Sequence, residues 1–480
     1  MSRIILHRIT SPSRFLQSNT TCTQRYFSCT QLKNEEHRYK GRNGMIAFDP
    51  IAGTRDFLPK QMNERNWLFS KMRESARKFG FQEYDVPILE PEDLYKRKGG
   101  EEISQQMYCF EDGSGQRVSL RPEMTPSLAR MVLGQGASLI MPIKYFSIPQ
   151  CWRYETMTKG RRREHYQLNL DIWGSKGICA EAELIACMCD LFTSLGLTSS
   201  DIVISINNRK ILQYLMNSMG VPEQLHSSVF IAIDKFDKIG ADEVTSLLNE
   251  IGISQETSKK IISFSEIRNI KELHSHMGSD HELVVEIENL FHLCSCYGVE
   301  SFIEFNASIV RGLSYYSGTI FEAYARDRVP PRALCGGGRY DNILTMYGAA
   351  NDIPACGFGL GDVMMLEILR EKKLVPESVI NEPAAKSVVI PMNESLRGEA
   401  AQVVTLLRKQ GTAADVYVGR VNKLKNALNF ADRVGAERVI MIMPDEWANG
   451  SVVVKYLRRK EQFEVRLQDL ITFDPNDLEK

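Results

Sequence analysis

Apolar and polar positions follow two periods along the chain, and the switches between them mark out its organisation. Between Phe48 and Gly196, runs with the two-residue alternation of strands ("YDVPILE", "RVSLRPE", "IKYFSIPQCWRYE") are interleaved with "NERNWLFSKMRESARKFG". There the apolar positions recur every three to four residues, as on one helix face. The mixture predicts an α+β domain. From about Val221 to Cys296 the pattern becomes helical and polar ("ADEVTSLLNEIG", "SKKIISFSEI"). Strands then return with "SFIEFNASIV" and "TIFEAYA", as expected of a helical module inserted into a β-rich domain.

After the polar linker "REKKLVPESVINEPAAKS", strands "SVVIPM", "AADVYV" and "RVIMIMP" are separated by helical stretches, and "SVVVKYLRRKEQFEV" reads as a closing hairpin. Strands spaced by helices of that length predict a small parallel α/β sheet with an antiparallel edge. No internal repeat or low-complexity tract is present. The expected domains are therefore 48–380, with a helical insertion at about 221–297, and 386–480.

The stretch "CWRYETMTKGRRREHYQLNLDIWG", Cys151 to Gly174, holds one lysine and four arginines. Alternation places Gln167, Asn169 and Asp171 on one strand face and Leu168, Leu170 and Ile172 on the other, core-facing side. Arg153 and Glu155 share a face in the preceding strand. An antiparallel hairpin is expected, with polar residues lining a cavity and a basic tip, Thr156 to Arg163, in solvent. A solvated charge run would explain the tip alone. It does not explain Arg153, which sits between Trp152 and Tyr154, where a charge needs an anionic partner and a guanidinium suits a phosphate.

Three further constellations add chemistry. In "LRPEMTPSLARMV", Glu123 lies at a strand end, and Thr125 is expected to cap a helix that has Pro126 at its first position. In "FNASIVRGLSYYSGTIFEAY", Arg311, Tyr315 and Tyr316 occupy a tight strand-to-strand loop bounded by glycines. In "CGGGRYD", three glycines before Arg339 let a backbone approach a neighbour closely. The glycines of "GFGLGD" lack the G-x-G-x-x-G spacing of a dinucleotide fold, and that reading is set aside.

Composition narrows the setting. The 480 residues include 43% hydrophobic and 25% charged, and the formal charge is −1. The first 34 residues carry Arg3, Arg8, Arg14, Arg25 and Lys33 with no acid; without them 54 basic residues face 60 acidic ones. That segment is expected to be an organelle transit peptide, cut near Ser28 in "RYFSCT". No apolar run has the roughly 18 residues of a membrane span. The 11 cysteines lack a CxxC pair; Cys187/Cys189 and Cys294/Cys296 lie in helical patterns and read as buried thiols rather than as metal ligands.

In order, "YDVPILE", "LRPEMTPS", "WRYETMTKGRRREHYQLNLDIWG", "RGLSYYSG" and "GGGRYD" resemble the histidyl-tRNA synthetases, a family of class II aminoacyl-tRNA synthetases, and in particular its organellar members. The resemblance runs from about Phe48 to the C-terminus. It implies a catalytic domain with a six-stranded antiparallel sheet, a C-terminal α/β anticodon-binding domain, and a homodimer built around "YDVPILE", Pro87 included. It implies L-histidine, ATP and histidine tRNA as substrates, with Mg²⁺ on the phosphates.

Residue by residue, the resemblance implies that Glu123, Thr125, Gln167, Asp171, Tyr315 and Tyr316 hold histidine. Arg153 and Arg311 would flank the α-phosphate as the catalytic pair. Glu155 would read adenine, His165 would stack on it, and Arg161 and Arg163 would meet the outer phosphates. The basic tip would lie near the tRNA acceptor end, and Arg420, Lys423, Lys425 and Lys455 to Lys460 near the anticodon stem. The expected location is the mitochondrial matrix, with the plastid as a second destination. The chain departs from the family pattern at Asp362 and Val363, where Glu-Arg is usual, at Ser314, where aspartate is usual, and in "TMTK" at the loop tip. The departures make a non-catalytic histidine- or tRNA-sensing paralogue the alternative.

Overall fold

The computed structural model describes residues 48–96, 105–158, 160–311, 315–327, 333–421 and 423–473. The N-terminal 34 residues, Lys159 and Ser314 fall outside them. Residues 48–51 are exposed and without regular structure.

Seventeen strands, β1 to β17, run in chain order as Gln82–Glu83, Leu89–Pro91, Tyr108–Glu111, Arg117–Leu120, Ile143–Ser147, Gln150–Trp152, Glu164–Trp173, Ile202–Asn208, Ile303–Phe305, Thr319–Ala325, Ala333–Arg339, Ala355–Gly361, Ser387–Pro391, Ala414–Val416, Arg438–Ile442, Ser451–Tyr456 and Glu461–Arg466 among the described residues. The largest sheet has the order β1-β5-β7-β12-β11-β10-β8-β9, with β6 also paired to β7. Its centre, β5 to β8 along that path, is six strands in antiparallel register. Short parallel strands β1 and β9 flank it at the edges.

One face of this sheet is the core. Leu168, Leu170 and Ile172 of β7 project into a buried cluster with Leu184, Ile185 and Phe192 of the helix Cys179–Ser194 and with Leu68 and Met72 of the helix Pro59–Lys78. The other face carries Asp171, which lies opposite Tyr145 of β5 and Gly357 of β12. The strand period therefore separates an apolar face that holds the fold from a polar face left for chemistry.

Two runs that alternate as single strands are broken in the structure. "YDVPILE" is extended at Tyr84, whose N–H donates to the Phe146 carbonyl, then leaves the sheet before β2. Pro87 has no N–H for a ladder, and the Asp85 carboxylate takes the Val86 N–H. "IKYFSIPQCWRYE" divides at Ile148–Pro149 into β5 and β6, both still paired to β7. Helices from Glu223–Ile233 to Glu282–Cys296 fill the segment between β8 and β9. Cys187 and Cys189, in the helix Cys179–Ser194, and Cys294, in the last insertion helix, are buried, but Cys296 is exposed, so it does not share the buried-thiol environment expected of it.

In the C-terminal region the order β14-β13-β15-β16-β17 is parallel through β15 and antiparallel thereafter. Val389, Ile440 and Val454 face the helix Arg397–Lys409. Val388, Val439, Met441 and Val453 face the helix Leu424–Arg433.

Candidate active site

Glu123 sits where β4 gives way to the helix Thr125–Gln135, and it is almost fully enclosed, at 5% exposure. One carboxylate oxygen accepts from the Tyr315 hydroxyl at 3.1 Å. The other has no partner among the described residues. Burial pushes this carboxyl above its ordinary pKa, and Arg153, the Tyr315 hydroxyl and Arg311 push back. Both guanidiniums expected to flank a phosphate therefore act on the same buried carboxylate.

Thr125 is the first helical residue rather than the cap. The cap position is Met124, with no side-chain capping bond, because the chain turns into the helix with Met124 already in helical conformation. The expected capping role is corrected; Thr125 lies at the same strand-to-helix junction as Glu123.

Across the sheet, Asp171 of β7 accepts a hydrogen bond from the Tyr340 hydroxyl. Its second oxygen and the Gln167 side-chain oxygen are buried without partners among the described residues. Burial raises Asp171 to about 7, against the opposing Tyr340 bond. Tyr315, Tyr316 and Tyr340 form a box, with ring centroids 5.0 to 6.5 Å apart. Tyr340, from "CGGGRYD", and Tyr84, whose buried hydroxyl is also unpartnered, are site residues that sequence reasoning missed. Tyr84 lies with its ring 5.8 Å from Tyr145, and Asp171 helps raise its pKa.

The glycines explain how the polar face stays open. A side chain at Gly357 would meet the Tyr340 hydroxyl and the Leu170 carbonyl, each at 2.7 Å, as well as Asp171. One at Gly359 would strike the Gln167 carboxamide, and one at Gly336 the Arg311 guanidinium. The glycines of "GFGLGD" and "CGGGRYD" thus clear room for neighbouring side chains on the sheet. Arg339 turns away from the site: it pairs with Glu181 at 2.6 Å and with Asp341 at 3.0 Å, and binds the Ser175 and Gly177 carbonyls.

Arg153 follows β6. Its Nε donates to the Pro122 carbonyl at 2.8 Å, and Glu155 lies 3.8 Å from its Nη1. Glu155 also meets Arg161 at 3.5 Å, and the Arg161 side chain is 60% exposed at the loop tip. His165 stays neutral: burial first, then Arg153 and Arg55, lower it to about 3. Arg311 adopts φ 55°, pairs with Glu322, and has its guanidinium carbon 5.9 Å from the Tyr316 ring centre.

Arg163 is not gathered with the others. Its guanidinium stacks 3.8 Å from the Tyr154 ring centre, its Nη1 is 3.4 Å from the Ala52 carbonyl, and its stem fills the space above Gly53. Those contacts hold the loop base, and the Arg163 Nε is buried without a partner among the described residues. Arg55, also unforeseen, binds Glu164 at 2.7 Å and Asp362 at 3.1 Å, while Asp362 accepts the Tyr166 N–H. Asp362 is thus a buried structural anchor beside Val363. A single arginine in "TRDF" carries no periodic signal that could have revealed its partners.

A six-stranded antiparallel sheet with a basic hairpin and a buried-carboxylate pocket on one face, joined to a mixed α/β module, is the architecture of a class II aminoacyl-tRNA synthetase. Family models match the chain as "Histidyl-tRNA synthetase" over residues 53–363 and "Anticodon binding domain" over 386–473. The chain is 45% identical over 425 residues to the chloroplastic/mitochondrial histidine–tRNA ligase of Arabidopsis thaliana, covering 88% of this chain and 86% of that one. It is 34% identical over 439 residues to the histidine–tRNA ligase of Leptospira biflexa, covering 91% and 99%. The crystal structure of histidyl-tRNA synthetase from Nostoc sp. PCC 7120 superposes with a TM-score of 0.72 at 25% identity, covering 89% of this chain and 99% of that one. The chain belongs to the histidyl-tRNA synthetase family. No helix among the described residues is long and apolar enough to cross a membrane.

Proposed function

We propose that this chain is an organellar histidine–tRNA ligase that activates histidine with ATP and passes it to the 3′ end of histidine tRNA. The observation that carries this reading is the convergence of unpartnered, buried oxygens of Glu123, Gln167 and Asp171 beside a three-tyrosine box. Histidine offers the matching groups: an α-ammonium, a flat ring and two ring nitrogens. A site built to hydrogen-bond those groups rejects analogues that lack them, because its own polar atoms would be left unpaired. Thr125, Tyr315, Tyr316, Tyr340 and Tyr84 complete the pocket.

Arg153 and Arg311 flank the α-phosphate. The histidine carboxylate, already ionised, attacks phosphorus in line without a side-chain base; the bond to pyrophosphate breaks, and the two guanidiniums neutralise the charge that builds. Glu155 accepts from the adenine amino group. His165, held neutral, stacks on the adenine ring without repelling Arg153. Arg161 and Arg163 meet the outer phosphates, where a phosphate-bound Mg²⁺ would supply further neutralising charge. The domain at 48–380 performs this chemistry, the domain at 386–480 binds the anticodon stem through Arg420, Lys423, Lys425 and the basic Lys455 to Lys460 run, and two copies associate through the "YDVPILE" region. Residues 1–34 direct the chain to the mitochondrial matrix or plastid, a reading supported by the printed location of the Arabidopsis relative.

The test is histidine-dependent ATP–pyrophosphate exchange by a chain starting near Ser28, run beside Arg311→Ala and against other amino acids. Exchange with histidine alone, lost in the variant, is the expected result. No exchange by a folded, histidine-binding protein would overturn the catalytic reading in favour of a sensor.

A further inference from the structure

The segment that delivers Arg311 and Tyr315 to the pocket leaves β9 at Phe305 and is tied down on two sides before it arrives. From the sheet, the Asn207 side-chain amide of β8 donates to the Ala307 carbonyl at 3.1 Å and to the Ile309 carbonyl at 2.9 Å. From the helical insertion, the Ile267 carbonyl accepts the Ala307 N–H at 3.0 Å. The Ser308 hydroxyl lies within donating distance of two acceptors, Asp237 at 2.8 Å across 71 residues of chain and the Asn306 side-chain oxygen at 2.7 Å, and its one proton serves both. Asp237, in the short helix Phe236–Ile239, is held in turn by Arg268 at 3.3 Å, and Arg268 also binds the Ser265 and Ile267 carbonyls. Val229, Phe230, Ile233 and Phe236 of the insertion share one buried cluster with Ile309 and Val310.

These ties precede a backbone position that needs them. Arg311 has φ 55°, a left-handed conformation that a non-glycine residue keeps only where its surroundings over-determine it. A segment anchored only by β8 would be free to relax that turn and to swing the guanidinium out of line with Gly336 and Glu322.

We propose that the helical insertion positions the histidine-binding loop, with the Asp237–Ser308 hydrogen bond as the latch. Asp237 is a positioning residue: it touches no substrate and acts through Ser308 on the placement of Arg311 and Tyr315. The inference rests on the functional reading above and gives the insertion a role in substrate affinity as well as in packing.

The test uses the full chain in ATP–pyrophosphate exchange with Ser308→Ala, Asp237→Ala, the double variant, and Asp237→Asn, whose amide oxygen still accepts from Ser308. Losing a hydrogen bond to a charged acceptor is expected to raise the histidine KM about tenfold in each alanine variant, with the ATP KM within about twofold. Because the two side chains share this contact, the loss in the double variant should fall short of the sum of the single losses, and Asp237→Asn should recover most of the loss. An unchanged histidine KM, or additive losses in the double variant, overturns the proposal. Ser308→Ala removes a single hydroxyl and serves alone if Asp237→Ala fails to fold. Absence of histidine-dependent exchange in the unsubstituted chain would instead sink the functional reading.

Discussion

The Tyr315 hydroxyl donates a 3.1 Å hydrogen bond to Glu123, tying the "RGLSYY" loop to a strand-to-helix junction 192 residues earlier in the chain. The carboxylate it meets is enclosed, and its second oxygen has no partner among the described residues. The loop and the pocket floor are therefore joined through this bond.

Tyr315→Phe keeps the ring packing against Tyr316 and Tyr340 but deprives a buried carboxylate of its donor, which costs about 1–3 kcal/mol. The histidine KM in ATP–pyrophosphate exchange is expected to rise about tenfold or more, with the ATP KM nearly unchanged. A variant with both constants unaltered would show that Glu123 is not a histidine contact.

Asp171 gives the site a pH dependence with a definite sign. Burial raises its carboxyl to about 7 in the folded protein, against an ordinary value of 3.8. Between those two values the unfolded chain has released a proton that the native chain keeps. Stability of the ligand-free protein therefore falls as pH rises across that window and levels off above it. In the proposed pocket histidine binding runs the opposite way, because a cationic α-ammonium or a ring N–H is held more strongly by the ionised carboxylate than by the protonated acid. Calorimetric affinities should strengthen from pH 6 to 8, and Asp171→Asn should bind more weakly while losing the component of that rise that does not come from histidine's own titration. A pH dependence identical in the variant would remove Asp171 from the pocket.

Much of this was legible in the sequence because strand alternation is a local signal. It separated Gln167 and Asp171 from Leu168 and Leu170, and it read the parallel C-terminal sheet with its antiparallel edge. Fold and family could both be reached from such runs and from the ordered motifs. The breaks at Pro87 and Pro149 interrupt that alternation because proline supplies no ladder N–H. What stayed hidden depends on contacts between distant segments: Tyr340 reaches Asp171, Tyr84 lies beside Tyr145, and Arg163 packs on Gly53 and Tyr154. Nothing within a few residues of any of these positions encodes the partner.

Arg55 illustrates the same limit and carries its own consequence. It is the shared cation of Glu164 and Asp362, whose side chains are 2% and 0% exposed. Removing one partner from a buried ionic group leaves charge uncompensated, at a cost of about 3–5 kcal/mol. Arg55→Ala is expected to lower the chemical denaturation midpoint substantially, and Arg55→Lys, which cannot reproduce the forked contact, to recover only part of the loss. A loss of unfolding free energy below about 1 kcal/mol would mean that the cluster relaxes into solvent instead.

The glycines of β12 separate fold from function in a single pair of substitutions. A methyl at Gly357 would lie 2.7 Å from the Leu170 carbonyl, a backbone atom inside the sheet, and equally close to the Tyr340 hydroxyl. Neither can move without parting strands or abandoning Asp171, so Gly357→Ala should lower the melting temperature and abolish histidine binding together. At Gly359 the obstruction is the Gln167 carboxamide, the end of a flexible side chain, with Asn169 Oδ1 at a tolerable 3.3 Å. Gly359→Ala should therefore fold with a melting temperature close to that of the unsubstituted chain, since replacing glycine in an unstrained strand also restricts the unfolded chain. It should nevertheless lose the rise in melting temperature that histidine gives to a protein that binds it, because Gln167 has been pushed out of the position from which its oxygen faces the pocket. Thermal melts with and without histidine read both outcomes at once. A Gly359→Ala protein that still responds to histidine like its parent would show that Gln167 is dispensable for binding.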